Sequence, residues 1–455
     1  MPQAALQELL GLAGIEGEAA MSGDDPVLHT PYRVGAAGAA SLAAVGLAAS
    51  ELWCLRTGRR QRVAVDLRAA AQSLRSGYFL RIDGQPPPAP WDPMSGFYPV
   101  RDGRWISIHC NFANHRQAAL RVLGVSEDRA QANAASARWE GKDLEDALHA
   151  AGGCAGLARS AQEWAAHLHA AAVGLQPLLE IDRIGDAPPQ PLPQGDRPLA
   201  GVRVLDLTRV LAGPTCAKTL AEHGADVLKI TAAHLPDSGA IELDTGIGKL
   251  AAHLDLRTKQ GTETLRQLLR EADVFSQSYR PGALAARGFS PEEAARLRPG
   301  IVYVSLNAWG QSGPWKDRRG FDSIVQTVSG MADAQGEPGK PKLLPCSAID
   351  YVSGYLMAFG TMVALARRAR EGGSWRVRVA LARVGKWIVD RGTVDPAAAS
   401  AEGLAGLTMD TRSPVGVITH LKPIVQLSET PARWDRPPVP LGQHRPEWPG
   451  RGVDA

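Results

Sequence analysis

The chain has 455 residues, of which 44% are hydrophobic and 21% are charged, a composition typical of a globular protein with two or three structural units. No stretch of about twenty uninterrupted apolar residues occurs, which argues against a membrane protein. Fifty Lys and Arg residues against 47 Asp and Glu residues leave a net charge of +3. The basic residues are scattered, so we expect no nucleic-acid partner.

The N-terminus and the cysteines predict a reduced, cytoplasmic chain. The first twenty residues lack a basic segment and a continuous apolar core, so they are more typical of an amphipathic helix than of a signal peptide. A run of small residues at 35–50 is too short to span a bilayer, and we expect no membrane partner. The five cysteines lie far apart without metal-ligand spacing, so we expect no metal site.

Two segments of the chain resemble each other. Residues 36–70 and 353–384 each contain a helix rich in Ala and Gly, a basic turn and an alternating strand, RVAVDL at 62–67 and RVRVAL at 376–381. An internal duplication packed about a pseudo-twofold axis would give this pattern. Convergence of Ala-rich helices and basic turns would give it as well.

A proline-rich stretch at residues 186–198 predicts an extended linker. After it, strand and helix alternate: a strand at 201–207, a helix at 214–223 and a strand at 225–230. The pattern continues with a helix at 261–272, a strand at 274–275, a helix at 291–297 and a strand at 301–306. The fold class predicted is α/β, with a doubly wound parallel sheet.

Common catalytic motifs are missing from the sequence, which contains no GxGxxG after a strand, no GxxxxGK[ST], no HExxH and no GxSxG. Polar residues at strand ends remain. Gly213 and Pro214 open a helix whose free amides could hold a phosphate or carboxylate, or could be an ordinary helix start. Loops with Arg257, Lys259 and Arg280, beside Tyr279, could hold adenine and phosphates, or could be solvated surface turns.

Asp350 opens another helix of small residues. An aspartate in this position often caps the helix by accepting hydrogen bonds from its first amides. The same amides would keep the carboxylate ionised and able to act as a nucleophile. The residues alone leave both roles open.

Six segments occur in the order seen in class III CoA-transferases: GVRVLDLTRVLAGP, GADVLKI, LDLRTKQG, YRPGALAARGF, PGIVYVSLNAWGQSGPW and FDSIVQTVSG. The chain therefore resembles this family, which includes formyl-CoA and carnitine CoA-transferases and α-methylacyl-CoA racemases. The continuous resemblance covers residues 198–388. Residues 31–190 resemble the later half of the family, so we expect the halves in rearranged order.

The resemblance implies a Rossmann-like large domain, a smaller α/β domain and a homodimer, although the internal repeat could make a pseudo-dimeric monomer. We place the degenerate N-terminal part at 1–190, the linker at 191–199, the CoA-binding domain at 200–395 and a tail at 396–455. In the N-terminal copy the position matching Asp350 falls near Val34 and has no carboxylate. One active site per chain is the consequence.

The resemblance also implies a reaction, in which coenzyme A moves from an acyl-CoA to an acceptor carboxylic acid. Asp350 matches the nucleophile that forms an acyl anhydride. Matching of the motifs places CoA against Leu211, Ala212, Leu256, Arg257, Thr258, Lys259, Ser278, Tyr279, Arg280, Arg319, Gly320, Phe321 and Asp322.

Some departures from the family leave alternatives. Racemase relatives use a His where this chain has Phe321, and phenylalanine cannot move a proton. The segment at 83–98, which corresponds to a glycine-rich loop over the active site, is rich in proline here, and Thr231, Ala232 and Ala286 replace charged residues. A CoA-binding pseudoenzyme or scaffold is therefore the main alternative, and an acyl-CoA racemase is the other.

Aromatic residues of the N-terminal half could line a pocket but are more typical of a core. They are Trp91, Phe97, Tyr98, Trp105, His109 and His115.

Overall fold

The computed structural model describes residues 2–89, 91–236, 238–399 and 404–450. Up to residue 190 the elements are α1 (Pro2–Ala13), β1 (Ala20–Ser22), α2 (Val34–Thr57), β2 (Val63–Asp66), α3 (Leu67–Ser73), β3 (Arg81–Ile82), β4 (Gly96–Pro99), β5 (Trp105–Ile108), α4 (Ala113–Leu123), α5 (Arg129–Ser136), α6 (Gly141–Ala150), β6 (Ala155–Leu157), α7 (Ala161–Ala165), α8 (Leu168–Gly174) and β7 (Glu180–Gly185).

The elements that follow are β8 (Arg203–Leu207), α9 (Ala212–Glu222), β9 (Asp226–Thr231), α10 (Ala240–Gly246), β10 (Lys249–His253), α11 (Lys259–Glu271), β11 (Val274–Gln277), α12 (Pro291–Leu297), β12 (Val302–Asn307), α13 (Asp322–Val328), α14 (Met331–Gln335), α15 (Ala348–Glu371), β13 (Ser374–Ala380), α16 (Leu381–Val389), β14 (Thr408–Ser413), β15 (Gly416–Leu421) and β16 (Gln426–Leu427). Short 3₁₀ turns occur at Ser76–Phe79, Ala285–Arg287 and Pro396–Ala398.

A seven-stranded sheet, in the order β10-β9-β8-β11-β12-β13-β7, forms the centre of the molecule. All neighbours in it are parallel except β7, which pairs antiparallel with β13 at the edge. Strands β8 and β12 are almost entirely buried, as expected for a parallel sheet covered on both faces. The predicted α/β fold and its alternation of strands and helices are confirmed.

Three smaller sheets join segments that are distant in the sequence: β1-β2-β16, β14-β15-β3 and β4-β5-β6. The largest apolar core extends from Ala5 to Leu427. Strand β7, from the first 190 residues, completes the large sheet, and β16, from the last 60, pairs with β2. These contacts cross the domain boundaries expected at residues 190 and 395, and those boundaries stay a prediction.

The repeated unit expected from the sequence has a structural counterpart. Helices α2 and α15 both contain 24 residues, and each leads into a strand and then a short helix, β2–α3 and β13–α16. The two long helices pack against each other. Only the second unit places its strand in the large sheet.

Helices α2 and α15 are also the two described helices with the length and hydropathy of a membrane span. Helix α2 continues beyond the run of small residues seen in the sequence. Within the molecule, 89% of the apolar window of α2 and all of that of α15 are buried. Their apolar surface is therefore used in the core.

Helices α9 and α15 approach closely at Gly354. A Cβ atom at this position would lie 2.6 Å from the carbonyl oxygen of Ala212 and 2.7 Å from the Cβ of Thr215. Real Cβ atoms do not come so near to backbone atoms, so only glycine allows this contact without movement of a helix. The contact fixes the first turn of α9 beside the second turn of α15, one turn after Asp350.

The substitution Gly354→Ala is expected to lower the free energy of unfolding by about 2 kcal/mol, because the added methyl group overpacks the contact between α9 and α15. Urea denaturation followed by circular dichroism would measure the change. Gly11→Ala in α1 is the matched control, since a Cβ there meets nothing within 4 Å. Alanine at position 11 should stabilise the protein by about 0.5–1 kcal/mol. Equal stabilisation by both substitutions would contradict the packing argument.

Candidate active site at the start of helix α15

Asp350 lies in the first turn of α15, where two cavities meet. We call them the Arg280 cavity, of about 520 Å³, and the Arg75 cavity, of about 640 Å³. Both are of the size of small-molecule sites. The residues that line both cavities are Val210, Leu211, Phe321 and Asp350. A ligand in either cavity can therefore contact the same carboxyl group.

The Arg280 cavity opens at the carboxyl ends of the parallel strands. Arg209 follows β8, the segment 278–280 follows β11, Ala308 follows β12 and Leu381 follows β13, and all of them line this cavity. Ligands of open parallel sheets bind at this edge. The position of the cavity follows from the strand order.

Val210 joins β8 to α9 with a backbone φ of +70°. A β-branched residue is a genuine outlier in this region, because its side chain clashes with the backbone. Such strain persists where the surrounding structure holds it in place and is common at functional sites. Next to it, Leu211 and Ala212 begin α9, whose first amides have no acceptor within the helix. Strain and free amide donors thus coincide beside Asp350.

Asp350 does not cap its own helix. The carboxylate of Asp322 holds the helix start instead, accepting the amide N–H of Asp350 at 3.0 Å and that of Ile349. Among the described residues, no donor lies within hydrogen-bond distance of the carboxyl group of Asp350 itself. The amides that the sequence analysis expected to ionise Asp350 act on Asp322.

Burial governs the ionisation of this carboxyl pair. Burial raises the pKa of Asp322 to about 6, although hydrogen bonds from the amide of Asp350, the side chain of Gln326 and the amide of Ile349 favour its ionised form. Burial and the negative charge of Asp322 raise the pKa of Asp350 well above its usual range. Asp322 therefore ionises first, and the neutral form of Asp350 is favoured relative to an aspartate in water.

The N-terminal unit shows the same arrangement without the second carboxyl group. Asp25 accepts the amides of Gly35 and Ala36, at 3.0 and 2.8 Å, at the start of α2, as Asp322 does at the start of α15. Ala36 is the third residue of α2, and Asp350 is the third residue of α15. The expectation that this copy lacks a nucleophile agrees with the alanine found there.

Five cationic side chains line the Arg280 cavity: Arg209, Arg280, Lys316, Arg318 and Arg319. Arg318 pairs with Asp146 at 2.9 Å. Within the described residues, Arg280, Lys316 and Arg319 have no carboxylate partner. Burial and the charge of Arg280 lower the pKa of Arg319, which shows that the cations repel one another. An anionic ligand would relieve this repulsion.

The Arg75 cavity takes its wall from both halves of the chain. Its wall includes the proline-rich segment 86–88, Trp91 and Phe97 from the N-terminal half, and Leu343 and Leu344 from the loop before α15. The sequence analysis left Trp91, Phe97 and His109 as core residues rather than site residues, yet all three line this cavity. Of the others, His115 lines the Arg280 cavity and Tyr98 lies in the core.

His109 stacks on Phe321, with ring centroids 4.0 Å apart. Burial and the charge of His115 lower the pKa of His109 to about 3, so the imidazole is neutral at pH 7. His115 behaves similarly, because burial and the charges of Arg319 and Arg280 lower its pKa to about 4. These rings form a neutral aromatic wall between the cavities.

The structure brings most of the predicted site residues together. Those on the Arg280 cavity are Leu211, Ala212, Ser278, Tyr279, Arg280, Arg319, Gly320, Phe321 and Asp350, and Asp322 lines the Arg75 cavity.

The loop Leu256, Arg257, Thr258 and Lys259 lies on the wall of neither cavity. Arg257 pairs with Asp255 at 2.7 Å, and Thr258 caps α11 through a hydrogen bond from Gly261. CoA contact at this loop stays a prediction. Among the described residues, no group of three His, Cys, Asp or Glu side chains is arranged to hold a metal ion.

Comparison with known protein families identifies one family over most of the chain. A family model described as CoA-transferase family III matches residues 3–190 and 199–404. The acetyl-coenzyme A transferase nodX of Hypoxylon pulicicidum is 31% identical over 328 residues, covering 65% of this chain and 54% of the relative. The succinate–glutarate CoA-transferase of Agrobacterium fabrum is 34% identical over 209 residues, which cover 42% of this chain and 52% of the relative.

A crystal structure of Rv3272 from Mycobacterium tuberculosis is 32% identical, with a TM-score of 0.41, covering 43% of this chain and 57% of that one. The chain spans about half the length of the curated relatives named above. The rearranged order of the halves stays a prediction.

The substitution Asp350→Asn is expected to stabilise the protein near pH 8, because burial and the charge of Asp322 raise the pKa of Asp350. Because the folded state holds the Asp350 proton more tightly than the unfolded state, ionisation costs folding free energy as the pH rises above the unfolded pKa. The gain should therefore be small near pH 4 and grow as the pH rises.

Thermal denaturation of both proteins across this pH range would measure it. Asp317→Asn, which changes an exposed carboxylate, is the control and should show no such trend. A gain that is independent of pH, or a loss of stability at pH 8, would contradict the assignment of a raised pKa.

Proposed function

The chain belongs to CoA-transferase family III, and from this premise we propose that it moves CoA from an acyl-CoA thioester to a carboxylic acid, with Asp350 as the nucleophile. One observation carries the proposal: a single carboxyl group faces both a cationic cavity and a largely apolar one. A transferase that acts on a thioester needs its nucleophile between the site for CoA and the site for the acyl group.

The Arg280 cavity suits CoA. Phosphate groups are dianionic or monoanionic, and guanidinium groups bind them through paired hydrogen bonds. Arg280 and Arg319 have no carboxylate partner in the described part of the chain, and Lys316 adds a third cation. Tyr279 offers a flat surface on the same wall. These residues would hold the phosphates and the adenine ring, with the thioester end directed to Asp350.

The Arg75 cavity suits the acyl group. Trp91, Phe97 and Leu343 give it apolar walls, and the proline-rich segment 86–88 covers it. The family resemblance predicts that this segment corresponds to a glycine-rich loop over the active site. Apolar walls exclude water, which would otherwise hydrolyse an anhydride.

The chemical steps follow from a carboxylate nucleophile. An oxygen of Asp350 attacks the thioester carbonyl carbon, the C–S bond breaks, and an acyl-aspartyl anhydride and CoA thiolate form. The thiolate then attacks the aspartyl carbonyl, which releases the donor acid and leaves an aspartyl thioester. The acceptor carboxylate attacks the carbonyl of this thioester, the C–S bond breaks, and a new anhydride and CoA thiolate form. Return of the thiolate to the acceptor carbonyl gives the new acyl-CoA and regenerates Asp350.

The raised pKa of Asp350 has a consequence for this reaction. Only the ionised carboxylate is a nucleophile, so transfer should become faster as the pH rises through the pKa of Asp350. Asp322, which ionises first, holds the backbone of Asp350 in place through the amide contact of 3.0 Å. We assign Asp322 a positioning role.

Racemisation is a weaker candidate. A racemase needs a base near the α-carbon of the acyl group, and His109 is the imidazole next to Phe321. With a pKa lowered to about 3, His109 is a poor proton acceptor at neutral pH. The homodimer and the cytoplasmic location expected from the sequence stay predictions.

Trapping of the acyl group tests the proposal. The wild-type protein is incubated with acetyl-, succinyl-, hexanoyl- and phenylacetyl-CoA and then with hydroxylamine, and the masses of the protein and its peptides are measured. We expect a hydroxamate on Asp350 with at least one donor, because hydroxylamine cleaves the anhydride at the aspartyl carbonyl. Asp350→Ala should give no adduct and should lower kcat by about 10³-fold or more.

The control Asp317→Ala should behave as the wild type, since the side chain of Asp317 is exposed and lines neither cavity. Binding of CoA without an adduct for any donor would contradict transfer through Asp350. That result would instead favour a CoA-binding protein without transferase activity.

A further inference from the structure

Arg75 lies at the wall of the Arg75 cavity and forms no ion pair with a carboxylate among the described residues. It precedes the turn Ser76–Phe79, and its guanidinium carbon lies 5.3 Å from the ring centre of Tyr78 and 5.5 Å from that of Phe79. Its Nε atom is buried and has no hydrogen-bond partner. A buried donor without an acceptor is costly, and an anionic ligand would satisfy it.

The positive charge of Arg75 affects the pKa of Cys346, which lies in the loop before α15. Burial and the charge of Asp322 raise the pKa of the Cys346 thiol to about 12, and the positive charge of Arg75 acts in the opposite direction. Cys346 lies four residues before Asp350, and both line the same cavity as Arg75. Arg75, Cys346 and Asp350 therefore share the wall of one cavity.

Two further cations line the same cavity. Arg81 donates to the carbonyl oxygens of Tyr78 and Leu80, at 3.0 and 2.7 Å, and Lys342 is exposed to solvent. The acidic side chains on the described wall are Asp322 and Asp350. No carboxylate balances the cations elsewhere on this wall, so the cavity combines a carboxyl pair at the reacting end with positive charge contributed by Arg75, Arg81 and Lys342.

The remaining wall is mostly apolar, with Trp91, Phe97, Ile241, Leu343 and Leu344. A volume of about 640 Å³ leaves room for a ligand body of several carbon atoms. A complementary acid has one carboxyl group that reacts at Asp350, an apolar body, and a second anionic group that pairs with a cation.

We propose that the acid substrate of this protein is a dicarboxylic acid with an apolar spacer, and that Arg75 binds its second carboxylate. The proposal rests on the transferase function proposed above and names the substrate class of the same site. Arg75 is thereby a specificity residue. A phosphate of CoA is the other anion that could reach Arg75, and the experiment separates the two.

Kinetics with a matched pair of acceptors test the proposal. Heptanedioate and heptanoate have the same chain length and differ in the second carboxylate. The wild type should show a ratio of kcat/KM values in favour of heptanedioate of about 10-fold or more. Arg75→Met should reduce this ratio to near one, and Arg75→Lys should give an intermediate ratio. Arg121→Met, at an exposed position of α4, is the control and should keep the ratio of the wild type.

Calorimetric titration with CoA distinguishes the two anions. Arg75→Met should bind CoA with the wild-type dissociation constant, whereas Arg280→Gln should weaken CoA binding by about 10-fold. Weaker CoA binding in Arg75→Met would assign Arg75 to a phosphate and overturn the proposal. An equal ratio of the two acids in the wild type and in Arg75→Met would overturn it as well.

A binding measurement keeps this test independent of turnover. In Asp350→Asn, which lacks the nucleophile, calorimetry with CoA present should show tighter binding of heptanedioate than of heptanoate. The preference should disappear when Arg75→Met is added. If the preference is found but no acyl group can be trapped on Asp350 of the wild type, the subsite stands and the transferase function fails. If trapping succeeds and the preference is missing, only the subsite proposal fails.

Discussion

The close contact between helices α9 and α15 at Gly354 positions Asp350, the proposed nucleophile, where the two cavities meet. A Cβ atom on Gly354 would lie only 2.6 Å from the carbonyl oxygen of Ala212. The start of α9 therefore lies directly beside the second turn of α15. Asp350 lies one turn before Gly354 and is held next to Leu211 and to the strained backbone of Val210. The two cavities meet at this point because the parallel strands end on one side and the N-terminal half packs on the other.

The ionisation of Asp350 depends on how deeply this arrangement buries its carboxyl group. Asp350 is removed from water beside Asp322 without a donor of its own in the described structure, which keeps its neutral form favoured. A protein gains no stability from this arrangement, and such destabilised groups are typical of active sites. The N-terminal unit shows the alternative: Asp25 holds the helix amides as Asp322 does, and Ala36 stands where the second carboxyl group would be. The N-terminal unit therefore contains the carboxylate that binds the helix amides but has no carboxyl group at the position that matches Asp350.

The sequence predicted strands β8, β9, β11 and β12 of the large sheet, because each is a short apolar run between helices. The family resemblance pointed to Asp350 and to eight other residues that line the Arg280 cavity, and their roles stay a prediction. The Arg75 cavity could not be predicted, since Arg75, Trp91 and Leu343 come from loops that only the tertiary fold brings together. The role of Asp322 was missed for the same reason: a residue 28 positions away holds the start of the helix that Asp350 could have capped.

Strand β10 was also missed. It is short and contains both a lysine and a histidine, so its hydrophobic pattern did not indicate a strand.

The central claim is that the carboxylate of Asp350 forms a bond to the acyl group during transfer. The most direct test uses the acceptor acid that turns over fastest, labelled with ¹⁸O in its carboxyl groups, followed by mass spectrometry of the peptide that contains Asp350. The steps above predict that each turnover leaves one oxygen of the acceptor on Asp350, because the C–O bond of the anhydride breaks on the acceptor side when the thiolate returns. An unlabelled Asp350 after many turnovers, with the product acyl-CoA formed, would contradict the account.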